Sequence, residues 1–266
     1  MLKKYILLFI FTWSANICFG QPGPFVYENK IYKAGIKTVL CYNTKKDQSV
    51  PIIALGSNEQ LLISFDDLGK GGADYYYTVE HCTSDWKQSR ISTMDYLQSF
   101  SSDRIFDSRI SFNTIQKYTH YEFLLPNDQV KPKIAGNYIL KIYENGDMNK
   151  PVISQRFYIT NNIVNIGAEA VPSSQVTDRF RNQKINFTIF HNFQISNPYT
   201  DVKAVVMQNM DPLTAKINVK PAFIKPGSLV YNDLTTNDFI GGSEFRKFDM
   251  RSLRFKGENI QDIFLD

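Results

Sequence analysis

The chain has 266 residues and a formal net charge of +4, which is close to neutral for its length. Nucleic-acid binding needs a strongly basic face, so this balance gives no reason to expect a nucleic-acid partner. Tyrosine and phenylalanine are abundant, with 15 and 20 copies, and with the many Ile, Val and Thr residues they favour strands over helices.

The first twenty residues have the organisation of a secretory signal peptide. Two lysines precede an apolar run over residues 5–13, and small residues lead to a break between Gly20 and Gln21, where we predict cleavage and therefore export. Removal takes away two lysines and no acid, so the charge falls from +4 to +2. Acylation of Cys18 is the alternative, although Ile17 is large for the position before a lipidated cysteine. No later segment is apolar for long enough to predict direct membrane insertion.

Two cysteines, Cys41 and Cys82, remain after the predicted cleavage. In an oxidising compartment this pair is a candidate disulfide, which would stabilise the fold by about 4 kcal/mol if it formed without strain. Two buried free thiols are the alternative, because cysteine packs well as a small apolar residue. Both stay open, since the sequence does not fix the distance between the two Cβ atoms.

Alternation of apolar and polar residues with a period of two dominates the first half of the chain. It predicts strands over Tyr75–Cys82 and over 118–125, and two more strands that flank the turn signal Asn145-Gly146 and could form a hairpin. The one helix candidate in this half is 93–106, where the helical pattern is weak.

The alternation continues after Asn161, over 185–189, over 202–207, and over 216–220 with Ile217 and Val219 on one face. Short strands at this spacing, without a long amphipathic helix, are typical of β-sandwiches. We therefore predict an all-β protein of tandem immunoglobulin-like or fibronectin-like β-sandwiches. Residues 1–20 form the signal peptide, 21–160 the N-terminal sandwich, and 161–266 a second β-rich domain. The chain ends without a clear closing strand, which leaves open whether that second domain is complete.

The residues that catalyse reactions or bind metals show no recognisable spacing. His81, His120 and His191 are far apart in the sequence. His81 and Cys82 are neighbours on a predicted strand, where their side chains would point to opposite faces. We predict no catalytic residue, metal ligand or cofactor, and we do not expect an enzyme.

Two further features have both a functional and a structural interpretation. The loop 66–74 is rich in oxygen donors and glycine and could hold Ca²⁺, but it lacks the ligand order of an EF-hand, and a solvated hairpin loop is favoured. The run Tyr75-Tyr76-Tyr77, together with Trp86, could form a platform on which sugars stack. Packing in the core and on the sheet face is the favoured interpretation.

Several strings occur in an order that resembles one known family. They are SFDDL at 64–68, DYYYTVEHC at 74–82, SDW at 84–86, DYL at 95–97, SFNT at 111–114, YTHY at 118–121, LPN at 125–127, GNY at 136–138, RF at 156–157, QN at 208–209, KP at 220–221, GGSEFR at 241–246 and FD at 248–249. Single strings are short, but the ordered series resembles the type IX secretion system plug protein family of the Bacteroidota.

The resemblance implies a periplasmic protein on the periplasmic face of the outer membrane. It would dock on the periplasmic opening of the outer-membrane translocon β-barrel of the type IX secretion system and seal it while no cargo is engaged. Such a stopper acts through shape and needs no cofactor. The resemblance assigns no interface residues. A secreted carbohydrate- or polymer-binding β-sandwich module is the alternative, and a hydrolase with a dispersed site is a third hypothesis.

Overall fold

The computed structural model describes residues 25–45, 49–69 and 72–241, together with residues 254, 262 and 264. The chain divides into two compact units between Asn162 and Ile163. Strands dominate both units, which confirms the predicted all-β fold class. The predicted cleavage site at Gly20 and Gln21 lies outside the described residues, and cleavage stays a prediction.

The first unit is a sandwich of two sheets. Its described strands are β1 (Lys30–Ile31), β2 (Ile36–Asn43), β3 (Ile52–Ala54), β4 (Leu61–Asp67), β5 (Tyr75–Cys82), β6 (Ser102–Arg104), β7 (Ser108–Ile110), β8 (Thr119–Leu125), β9 (Gly136–Glu144) and β10 (Pro151–Thr160). One sheet has the order β1-β10-β9-β5-β6, and β3 also pairs with β10; the other has the order β2-β4-β8-β7.

The core of this unit lies between the two sheets and follows from the alternation in the sequence. Tyr75, Tyr77 and Val79 of β5 are at most 1% exposed and face Phe65 of β4 and Tyr121 of β8. The rings of Phe65 and Tyr121 stack 5.2 Å apart, and the ring of Tyr75 meets Tyr121 edge-on at 4.9 Å. Burial of each such side chain stabilises the fold by roughly 1.5–3 kcal/mol.

The predicted hairpin around Asn145-Gly146 is confirmed, whereas the predicted helix over 93–106 is wrong except for one turn. Strands β9 and β10 pair antiparallel across the connection, where both turn residues have positive φ. The single turn α1 (Thr93–Tyr96) ends at Leu97. Backbone bonds to a distant segment replace further helical bonds, because Gln98 N donates to the Lys131 carbonyl at 2.8 Å.

The second unit has one main sheet and a small strand pair. Its described strands are β11 (Asn165–Pro172), β12 (Asn182–Phe190), β13 (Ala204–Val206), β14 (Lys216–Asn218), β15 (Phe223–Lys225), β16 (Ser228–Tyr231) and β17 (Asp238–Ile240). The main sheet has the order β11-β12-β16-β15 with β17 also pairing β12, and β13 pairs with β14. Short helical turns occur at α2 (Pro198–Asp201) and, as 3₁₀ turns, at Val176–Asp178 and Pro212–Thr214.

At β14 the burial of alternate residues is the reverse of what their polarity predicts. Ile217 and Val219 are exposed, while Asn218 between them is buried. The Asn218 and Asn237 side-chain amides bond to each other in both directions, at 2.8 and 3.0 Å. A buried amide that is satisfied in this way carries no large desolvation penalty, so the polar residue can occupy the inner face.

No helix in the described part of the chain is long and apolar enough to cross a bilayer.

Candidate interaction surface

The aromatic run at the start of β5 does not form a flat surface. Tyr75 and Tyr77 are in the core, whereas Tyr76 points the other way and stacks on Tyr143 with ring centres 6.1 Å apart. Trp86 is half-buried. The sugar-platform interpretation therefore loses the adjacent tyrosines on which it depended.

Trp86 is held by neighbours on the outer face of the first sheet. The guanidinium of Arg156 lies 4.3 Å from the indole ring centre, and Tyr158 meets the indole edge-on at 5.4 Å. A cation over an aromatic ring contributes about 0.5–2 kcal/mol, depending on its exposure. This cluster gives Trp86 a structural role, as the packing interpretation expects.

A buried carboxylate ties together three loops at one end of the first sandwich. Asp67 is 2% exposed and accepts bonds from the Tyr75 hydroxyl at 2.6 Å, from Gly69 N at 2.9 Å and from Lys33 Nζ at 3.4 Å. Lys33 Nζ also contacts Glu144 at 3.0 Å. Burial alone would raise the pKa of Asp67, but the bonds from Tyr75 and Gly69 and the charge of Lys33 outweigh it and lower that pKa. Asp67 is therefore a charged structural anchor.

The carboxylates considered for Ca²⁺ do not converge. Asp66 Oδ1 lies 2.7 Å from His120 Nδ1, Asp67 is bonded inside the sandwich, and Asp74 pairs with Arg104. Lys70 and Gly71 of this loop lie outside the described residues. Across the described ranges, no cluster of three or more His, Cys, Asp or Glu side chains is arranged to hold a metal ion.

The three histidines lie in separate environments. His81 packs edge-on against Tyr138 with ring centres 5.1 Å apart, and burial lowers its pKa although a backbone bond at Ala135 opposes the shift. His120 is paired with Asp66, as described above, and His191 Nδ1 contacts the Phe193 carbonyl at 2.8 Å. No two of these histidines are brought together.

Cys41 and Cys82 are both free thiols in this structure, where Cys82 is buried and Cys41 is half-buried. Cys41 lies in β2 and packs against the core. Cys82 lies at the end of β5 in the other sheet and, by alternation from Val79, points away from that core. The first sheet separates the two side chains, which is why no disulfide joins them. Burial raises the pKa of Cys41 to about 12 and that of Cys82 to about 11, so both stay protonated at neutral pH.

The segment between β6 and β8 carries large apolar side chains in solvent, a feature that sequence reasoning missed. They are Phe106, Ile110, Phe112 and Ile115. The β7–β8 turn is held by polar bonds, since Ser111 Oγ accepts from Tyr118 N at 2.9 Å and from Thr114 Oγ1 at 3.1 Å. The available signal was a set of apolar residues in a polar segment without regular alternation. Exposed apolar side chains on a well-bonded loop are typical of protein contact sites.

Two comparisons with known proteins identify relatives. Residues 36–161 match the family model described as "Type 9 secretion system plug protein 1st domain". The crystal structure of a hypothetical protein from Parabacteroides merdae ATCC 43184 is similar, with 31% sequence identity and a TM-score of 0.79 over 91% of this chain. The match covers 62% of that protein, so the chain spans less than two thirds of its length.

Other comparisons add nothing to the assignment. The structure of Pseudomonas fluorescens alkylpurine DNA glycosylase AlkC, bound to DNA containing an abasic site analog, has 11% identity and a TM-score of 0.26 over 47% of this chain and 30% of that one, a likeness too low to carry an argument. No curated protein matches the chain.

The matched range extends from the first residue of β2 to the end of β10 and so covers nearly all of the first sandwich. The strings that suggested the family between 64 and 157 all lie inside it. The resemblance seen in the sequence is confirmed over this range, and residues 36–161 belong to the type 9 secretion system plug protein family as its first domain.

Proposed function

We propose that this protein is a periplasmic plug of the type IX secretion system. It docks on the periplasmic opening of the outer-membrane translocon β-barrel and seals that opening while no cargo is engaged. The observation that carries the proposal is the family match over 36–161. The protein acts through its shape and its contacts, without a cofactor and without catalysing a reaction.

The architecture of the first unit suits a stopper. Two sheets enclose a filled core, and the Asp67 cluster fixes the loops at one end, so the body should resist deformation at a wide pore. Binding must also be reversible, because a permanent contact would stop secretion. A contact of moderate size with a polar rim meets that need better than a large apolar one.

The test is co-purification of the tagged chain with the translocon from outer membranes solubilised in mild detergent. We expect the translocon to be retained by the tagged protein and to be absent from a mock preparation with an unrelated tagged periplasmic β-sandwich. A protein recovered only in free form from cells that contain the translocon would contradict the proposal.

A second measurement separates sealing from mere binding. Deletion of the protein should make the outer membrane permeable to a large, normally excluded dye, but only in cells that have the translocon. Equal leakage with and without the translocon would argue for a general envelope defect and against a plug.

A further inference from the structure

The open edge of the first sandwich contains a groove with an apolar floor. The groove has a volume of about 450 Å³ and lies between β6 and the end of β8. Tyr77 and Phe123 stack on its floor with ring centres 4.3 Å apart. Phe106 and Leu124 also line it and are 74% and 39% exposed, so apolar surface is available to a ligand at this place.

The groove includes a stretch of strand edge that its own sheet leaves open. Strand β7 pairs with Thr119–Tyr121, and Glu122 N extends the pairing by one bond to the Asp107 carbonyl at 3.2 Å. Strand β8 continues to Leu125, and within the described ranges its last residues have no strand partner on the β7 side, although the Leu124 carbonyl accepts a bond from the Asn127 side chain at 2.9 Å, which an added strand would have to replace. Exposed backbone groups of this kind can be paired by an added polypeptide strand, which a lipid cannot supply.

The groove is also acidic. Its charged lining residues are Asp103, Arg104, Asp107 and Glu122. Arg104 forms an ion pair with Asp74, which lies outside the groove. Arg109 forms ion pairs with Glu122 at 2.7 Å and with Asp107 at 3.7 Å. With these partners included, four carboxylates stand against two guanidinium groups. This excess attracts a cationic ligand and repels anionic lipid head groups.

We propose that this groove binds an extended segment of a protein partner that carries apolar side chains next to lysine or arginine. The strand edge selects a polypeptide, the apolar floor takes its apolar side chains, and the carboxylates select positive charge. The proposal rests on the plug function, under which the segment belongs to the translocon.

A binding assay with synthetic peptides tests the chemistry of the groove without the translocon. The probes are a short peptide of alternating leucine and lysine and a matched peptide of alternating leucine and glutamate, each with a fluorescent label. We expect the lysine peptide to bind and the glutamate peptide to bind at least about ten-fold more weakly. Equal affinity for both, or no binding of the lysine peptide at about 1 mM, would overturn the proposal.

The variant for both assays is Phe106→Ser combined with Asp107→Lys. Both side chains are more than half exposed, so the fold should be retained. The matched control is Phe100→Ser combined with Asp95→Lys, which makes the same two kinds of change at exposed positions outside the groove and outside the apolar segment between β6 and β8. We expect the groove variant to weaken the lysine peptide about ten-fold or more and the control to leave its affinity unchanged. Equal losses in both variants would contradict the assignment to the groove.

Co-purification with the translocon then separates this proposal from the plug function. Loss of the translocon in the groove variant but not in the control supports both. If the wild type and the groove variant both retain the translocon, the proposal for the groove is contradicted and the proposed plug function is kept. If the wild type does not retain the translocon, the result counts against the plug function itself. Sedimentation with phosphatidylglycerol vesicles that depends on Phe106 would point to a membrane ligand and overturn the protein partner.

Discussion

The two units of the chain bury their apolar residues to very different extents. The described core of the first unit joins 21 buried residues from both sheets and from their connections, whereas the described core of the second unit has four, namely Phe187, Ile189, Leu229 and Tyr231. Large apolar side chains such as Phe180 and Leu213 of the second unit are more than 90% exposed. The first unit therefore has a large apolar interior, whereas the described part of the second unit keeps many of its large apolar side chains at the surface.

The largest effect that would test this comparison is a truncation in the first core. Phe65→Ala removes a fully buried ring that contacts Tyr75 and Tyr121, and we expect the free energy of unfolding to fall by about 3–5 kcal/mol. Urea denaturation followed by circular dichroism measures the change. Phe112→Ala, at a ring that is 93% exposed, is the control and should change stability by no more than about 0.5 kcal/mol. Similar changes in the free energy of unfolding for the two variants would mean that the sandwich core is not the main source of stability.

The next effect concerns the anchor at Asp67. Asp67→Asn removes the charge that pairs with Lys33 and weakens the hydrogen bond from Tyr75. We expect the free energy of unfolding to fall by about 2–3 kcal/mol near neutral pH. The effect stays in this range because Lys33 is partly exposed and solvent screens its charge. The exposed Asp95→Asn is the matched control and should have little effect.

The same anchor predicts how stability depends on pH. The folded-state pKa of Asp67 is lowered, so its stabilising contribution is present above the unfolded pKa of about 4 and is lost as the pH falls through the folded value. Wild type should therefore lose stability below about pH 4, and Asp67→Asn should lose less over the same range. Parallel pH profiles for the two proteins would show that another carboxylate is responsible.

A smaller effect is expected where β5 and β9 approach each other closely. Gly136 has a φ of +153°, and a Cβ added there would lie 2.4 Å from His81 Nε2. Gly136→Ala should cost about 2 kcal/mol, measured as a lower midpoint in thermal unfolding. The cost should shrink in a His81→Ala background, because the obstructing ring is gone. An identical cost in both backgrounds would assign the effect to the backbone alone.

The smallest effect on stability is expected at the surface of the second unit. Phe180→Ser combined with Leu213→Ser should leave the free energy of unfolding within about 0.5 kcal/mol of wild type. The same change should reduce the fluorescence of a dye that binds exposed apolar surface. A loss above about 1 kcal/mol would mean that these side chains are packed in solution and that the contrast between the units is smaller than described.

The parts of the fold that could be predicted are those that depend on local alternation. The bounds of β5 agree with the prediction and β8 starts one residue later, because each strand presents every second residue to one core. The segment after Tyr96 could not be predicted in this way, since its backbone pairs with residues near Pro132 that are distant in sequence. The inner position of Asn218 depends on Asn237, a partner that no periodicity reveals.

The candidate site could not be found from the sequence for a related reason. The groove combines side chains from β5, β6, β8 and the crossover between the sheets, for example Tyr77, Asp103, Phe106 and Phe123. It exists because β7 is shorter than the strand it pairs with, which is a property of the pairing and not of any single segment. The family resemblance, by contrast, can be recognised in the sequence alone, since it depends only on the order of short strings.

The way in which β10 is flanked has a consequence for aggregation. Without strands paired on its outer side, its ten residues would form a long edge strand that a second copy of the chain could pair with. Instead β1 and β3 each pair with part of that edge. Between them, the Asn29 side chain accepts a hydrogen bond from the backbone N–H of Arg156 at 2.8 Å. Growth of this sheet into a polymer by strand addition is therefore blocked on this side.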